Sequence, residues 1–198
     1  RMASTASSTA RMGSELVLIT LEVHDAGRVN EDLQMTEVMT RPISGGPEWI
    51  EVYNNNAFAT SLYGWSINTS SGSTSNEVLL QGGVIQGHSV ALFTGSLASQ
   101  EQGNASQMFD LGQYGLLGTG SMNLLDDGSG VIELRFTRPG KVNPIPNSKA
   151  EWGPQAGLPV GLNQVIVWDG TNTMSSTAWS VQTGPTPGDV FFEPSNAS

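Results

Sequence analysis

No apolar segment of this chain runs far before Gly, Pro, Asn or Ser cuts it. Glu15–Val23 (ELVLITLEV) meets Asp25-Ala26-Gly27, and Leu33–Thr40 (LQMTEVMT) meets Arg41-Pro42 and then Gly45-Gly46-Pro47. Glu48–Tyr53 (EWIEVY) stops at Asn54-Asn55-Asn56. Short apolar runs bounded by turn residues read as strands. Long helices draw on Ala, Leu, Glu, Lys and Arg in quantity. Here only 13 % of residues are charged and 24 are glycine. Many short strands with Gly- and Pro-rich turns predict an all-β architecture. A chain of 198 residues buries roughly two-thirds of its unfolded surface, enough to fold without a metal or disulfide staple.

Within Glu15–Val23, alternation puts Val17, Ile19, Leu21 and Val23 on one face, with Leu16 and Leu18 on the other. Later strands are predicted near 64–68, 84–85, 89–94, 122–125, 131–136, 164–168 and 179–181. Asp127-Gly128 followed by Ser129-Gly130 predicts a hairpin turn. Two stretches read as long surface loops. One runs from Gly95 to Gly120, with a helical turn at Ala98–Gln102. The other runs from Pro139 to Gly161 and carries Pro139, Pro144, Pro146, Pro154 and Pro159. Long loops often carry function.

This gives four parts: a polar leader over 1–14, an extra N-terminal strand and turn over 15–32, a β-sandwich over 33–192, and a tail over 193–198.

The net charge is −10. No Lys or Arg lies between Arg41 and Arg135 or after Lys149, so clustered cations for phosphate contact are missing and nucleic acid is not an expected partner. There is no Cys, which removes disulfides and thiolate metal sites. No apolar stretch reaches the roughly 20 residues of a membrane helix.

Chemistry-bearing residues are few. His24 and His88 stand alone, without the ligand spacing of a zinc site. Glu48 and Glu51 suggest paired carboxylates, but three residues apart on a strand they face opposite ways. A strand pair with Glu37 remains conceivable, and hydrogen bonding at edges and turns is the alternative. Nucleophile-elbow, P-loop and dinucleotide motifs are absent. Asp126-Asp127-Gly128-Ser129 and Asp169-Gly170-Thr171-Asn172 are oxygen-rich turns, which makes Asp126, Asp127 and Asp169 the calcium candidates, with ordinary turn capping as the alternative. Glycosylation sequons begin at Asn68, Asn104 and Asn196. The five tryptophans read as core or loop anchors, and Gly64 as a tight turn or close backbone approach.

Several of these segments, in order, resemble the lamin-tail domain family: Thr36-Glu37-Val38-Met39, then Glu48-Trp49-Ile50-Glu51-Val52-Tyr53-Asn54, then Leu62-Tyr63-Gly64-Trp65. Val84–Leu92, Leu124–Glu133, Asp169–Thr173, Trp179–Val181 and Pro185–Gly188 continue the likeness, which spans about Leu33 to Asp189. Thr36 stands where the family usually has Asn, and Glu15–Val23 precedes its usual start. The resemblance implies an immunoglobulin-like β-sandwich, here with two long loop insertions and an N-terminal extra strand. It also implies a non-catalytic piece of a larger assembly.

The expected function is therefore a non-enzymatic structural or adhesive module, extracellular or on a cell or particle surface. Its expected partners are proteins, as neighbouring subunits or further copies of itself. Val17, Ile19, Leu21 and Val23 could be donated to a neighbour's sheet to build a filament or shell. No cofactor is expected, calcium being the one candidate. The competing expectation is a calcium-assisted carbohydrate- or protein-binding module using Tyr114 or Trp152 as aromatic platforms.

Overall fold

The computed structural model describes residues 6–12 and 15–21 as backbone, and then 33–43, 46–71, 74–97, 103–111, 128–137, 140, 142–172 and 174–189. The strands in chain order are β1 (Ala6–Met12), β2 (Glu15–Leu21), β3 (Leu33–Met39), β4 (Trp49–Asn54), β5 (Thr60–Ser61), β6 (Trp65–Ser71) and β7 (Thr74–Leu79). Then follow β8 (Val84–Ile85), β9 (Val90–Thr94), β10 (Gln107–Asp110), β11 (Gly130–Phe136), β12 (Ile145–Trp152), β13 (Gln164–Trp168) and β14 (Trp179–Thr183). A single turn of 3-10 helix, Ser176–Ala178, precedes β14.

The protein is nearly all β, as its composition demands. A six-stranded sheet has the order β10-β9-β4-β3-β13-β14, and a four-stranded sheet the order β12-β11-β6-β7. Their inner faces share one core. Leu33, Met35, Val38, Ile50, Val52, Phe93 and Ile166 from the larger sheet meet Trp65, Ile67, Ile132, Leu134, Ala150 and Trp152 from the smaller. Two stacked sheets of this kind form a β-sandwich.

The smaller sheet alternates apolar-in and polar-out. Trp65 and Ile67 of β6 enter the core, while Ser66 and Asn68 bond to Glu77, Ser75 and Asn76 of β7. The larger sheet is buried on both faces. Met39, Trp49, Tyr53, Val90, Leu92, Val165 and Val167 form a second apolar cluster on its outer side, joined by Ala105. Doubly buried strands read as near-continuous apolar runs, which is the pattern of Val90–Phe93 and Val165–Trp168.

Residues 6–12, expected within a leader, form β1 instead. It pairs antiparallel with β2, with Ala10 opposite Val17 and Ser8 opposite Ile19. The two make a sheet of their own. The expected strand therefore exists over Glu15–Leu21, while Val23 and the tail at 193–198 lie outside the described residues.

Both expected loops contain strands. β10 pairs parallel with β9. β12 occupies the middle of the proline-rich stretch and pairs with β11. Its Pro146 is tolerated because β12 is an edge strand and the ladder is irregular between Leu134 and Arg135. β7, which was not expected, is also an edge strand, and its Ser75, Asn76 and Glu77 face solvent. Of the expected hairpin at Asp127–Gly130, Asp127 and the preceding arm lie outside the described residues, and β11 pairs with β6 and β12 from Val131 to Phe136.

The expected 98–102 turn and 122–125 strand lie outside the described residues. Gly64 fulfils its expectation. Its φ is +87°, and a Cβ there would lie 3.3 Å from the Thr137 carbonyl oxygen.

One departure from regularity positions the site. β3 carries a bulge between Met35 and Glu37. Beyond it, Val38 points into the core while Glu37 and Met39 turn outward. β13 pairs with β3 only at Glu37 and Val38. Below the bulge, β12 reaches β3 with side chains instead. Ser148 Oγ accepts from the Met35 amide at 3.3 Å, and Asn147 Nδ2 donates to the Leu33 carbonyl at 2.5 Å.

Candidate functional site

Glu37 and Glu51 are direct cross-strand partners on β3 and β4, two interior strands of the larger sheet. Both are sealed from solvent. Alternation along β4 sends Glu51 outward with Trp49 and Tyr53, away from Ile50 and Val52. The bulge in β3 brings Glu37 out on the same side. Cross-strand partners on one face place their Cβ atoms about 5 Å apart. The structure thus joins Glu51 to Glu37 and not to Glu48. The alternative expectation of edge and turn hydrogen bonding holds for the turn and fails for the edge: both carboxyls accept from the turn at 186–188, but neither strand is an edge.

The cover is a strap, residues 184–189, that leaves β14 and crosses the outer face. Thr186 donates from its amide and hydroxyl to Glu37 Oε1 at 3.3 and 3.5 Å. Gly188 donates its amide to Glu51 Oε2 at 2.6 Å. The Thr36 hydroxyl donates to Glu51 Oε1 at 2.5 Å. Thr36 thus holds the second oxygen of the Glu51 carboxylate.

The strap's far end is fixed to the 103–106 segment. The Asn104 amide donates to the Pro187 carbonyl at 2.9 Å, and Asn104 Nδ2 donates to Asp189 Oδ1 at 2.6 Å. Gly188 fits at φ +88° with its Cα against the backbone of Asn104 and Ala105.

Neither carboxyl has a cationic partner among the described residues. Burial and then the Glu51 charge push Glu37 from the ordinary 4.5 up to about 8. Burial raises Glu51 to about 7, against the Thr36 hydroxyl and Gly188 amide, which favour its charged form. The exposed Asp189 pushes both in the same upward direction. Like charges in a dry site disfavour double ionisation, so the pair retains a proton near neutrality. The geometry assigns that proton to Glu37. Glu51 has donors on both oxygens, whereas Glu37 Oε2 is buried without one among the described residues.

The pair can therefore accept hydrogen bonds and exchange a proton. The strap leaves it no open face toward a substrate.

The remaining candidates lie elsewhere. Asp169 is exposed and caps its own turn, accepting from the Thr171 amide at 2.9 Å and hydroxyl at 2.6 Å. Asp126, Asp127, His24, Tyr114 and Asn196 lie outside the described residues. Among the described residues no group of three His, Cys, Asp or Glu converges on one point. Trp152 is not a platform. It ends β12 inside the core, where the absent Cβ of Gly130 leaves room for its ring. His88 is exposed at φ +51°, with Nδ1 3.2 Å from the Tyr53 hydroxyl. Asn68 is buried in β6, and Asn104 is engaged by the strap. Val17, Ile19 and Leu21 sit on β2.

A partly open apolar cleft of about 300 Å³ lies where the edge strands β7 and β10 approach, lined by Leu62, Leu79, Leu80, Phe93, Phe109 and Leu111 among others. Among the described residues, no helix is long and apolar enough to cross a membrane.

Sequence reading reached Glu51 and Glu37 but not the strap. The signal available was Gly184-Pro185-Thr186-Pro187-Gly188, whose prolines and glycines rule out strand or helix and leave amides free to donate. The chain matches no protein-family model and no curated protein.

Proposed function

We propose that this chain is a non-enzymatic structural or adhesive module, with an immunoglobulin-like sandwich of the lamin-tail kind, acting outside the cell or on a particle surface. The observation that carries this reading is the use made of Glu37 and Glu51. Acids that could serve general acid–base chemistry are spent instead on fastening a chain segment across a sheet. They face backbone amides and hydroxyls of their own protein.

Assembly through β2 is the sharper form of the proposal. β1 and β2 pair with each other and form a sheet separate from the two of the sandwich. Two-stranded hairpins are marginal alone, and their open edges invite a neighbour's strand. Its partners are then further copies or neighbouring protein subunits, and no cofactor is needed.

Electron microscopy and light scattering on the full chain, beside a Val17→Lys/Ile19→Lys variant, test this. Particles or filaments formed by the parent and lost in a folded variant support assembly. Turnover of any member of a broad panel of glycans, esters and phosphoesters would remove the non-enzymatic reading.

A further inference from the structure

We propose that residues 184–189 are a proton-operated strap: the one proton held on Glu37 of the buried Glu37–Glu51 pair keeps it shut, and losing that proton in alkaline solution lets it lift.

Glu37 lies between Glu51 on β4 and Val167 on β13. From outside come Thr186, Gly188 and Asp189 of the strap, and from β3 itself comes Thr36. Every charged group in that set is an acid. With one proton in the pair, the strap's amides serve Glu51 and Glu37 and a single charge is buried. Removing the proton buries two like charges across adjacent strands and leaves Glu37 Oε2 charged with no donor among the described residues.

Sheet strands β3 and β4 are locked by ladders and by a core on each face. They cannot separate to relieve the repulsion. The strap can. Among the described residues its holds on the sheet are the bonds from Thr186 and Gly188 and, at its start, the Gly184 amide on the Asn163 carbonyl at 3.4 Å, and its outer hold is Asn104, reached through Pro187 and Asp189. Lifting it admits water to both carboxylates and moves Asp189 away. Local opening of segments held by few bonds is the low-energy route in folded proteins.

The inference is independent of the structural-module reading, since a strap of this kind could gate a surface in any class of protein.

Hydrogen exchange read by mass spectrometry on the full chain between pH 6 and 9, corrected for the intrinsic rate, decides it. Protection over 184–189 should fall at least tenfold across that range while β4 holds steady. Glu37→Gln, which keeps an acceptor but carries no charge, should flatten the dependence. Asp189→Asn, at the exposed end, should shrink it, and it stands in if Glu37→Gln fails to fold by circular dichroism. Pulsed labelling with a peptide covering β4 as internal reference separates strap opening from global unfolding. Flat protection in the parent chain, or an unchanged pH slope in a folded variant, overturns the proposal.

Discussion

Gly188 donates its amide to Glu51 Oε2 at 2.6 Å, and it reaches that oxygen because it has no side chain. A Cβ there would lie 2.1 Å from the Ala105 nitrogen, at a φ of +88° that other residues avoid. Gly188→Ala should therefore destabilise the protein by about 1–3 kcal/mol through strain and the lost bond. Urea unfolding measures it. The same variant should lose protection over 184–189 at every pH.

Stability should rise as the solution is acidified from about pH 9 toward pH 5.5, against the usual acid trend. Glu37 and Glu51 bind protons more tightly when folded, at about 8 and about 7, than at the ordinary 4.5. Their contribution is fully present below about 4.5 and is lost as pH climbs through 7 and 8. The amplitude is on the order of a few kcal/mol. Urea midpoints across this range check the sign, and Glu37→Gln should remove much of the slope.

Asn54→Ala should cost about 2–4 kcal/mol, because one buried side chain closes two loops. Its Nδ2 donates to the carbonyls of Phe58 and Ile85 at 2.9 Å and of Gln86 at 3.1 Å. Its Oδ1 accepts from the Asn56 amide and the Thr60 hydroxyl. A melting temperature within a degree of the parent would contradict this.

Trp152→Ala should act as a core truncation, losing about 3–5 kcal/mol. The ring is buried and packs over Gly130. Thermal unfolding distinguishes this from a surface aromatic, whose removal would leave stability within about 0.5 kcal/mol.

The strands with apolar faces were legible in the sequence. β3, β4, β9 and β13 announce themselves by dense apolar runs between turn residues, and their bounds shift by a residue or so. β7, β10 and β12 were not legible. β7 and β12 are edges with polar outer faces, and Pro146 argues locally against a strand until the edge position is known. β10 is only four residues long and pairs in parallel, so its partner lies outside any local pattern.

The carboxyl pair was half legible. Glu37 and Glu51 meet because a bulge shifts the β3 register by one residue, and a one-residue slip reverses which side chains share a face. No spacing rule within either strand encodes that shift. The strap was illegible for a different reason: its contacts span 137 residues between Glu51 and Gly188.

Among the described residues, the side-chain bonds from Asn147 and Ser148 to β3 tie the two layers together beside β12. The sandwich is thus bound like a book, with its spine at β12 and its fore-edge where β7 and β10 leave a gap. Breathing motions should be lopsided, pivoting at the spine and widening the fore-edge, so solvent and small apolar molecules would enter past Leu79 and Phe109 well before they reached Ala150.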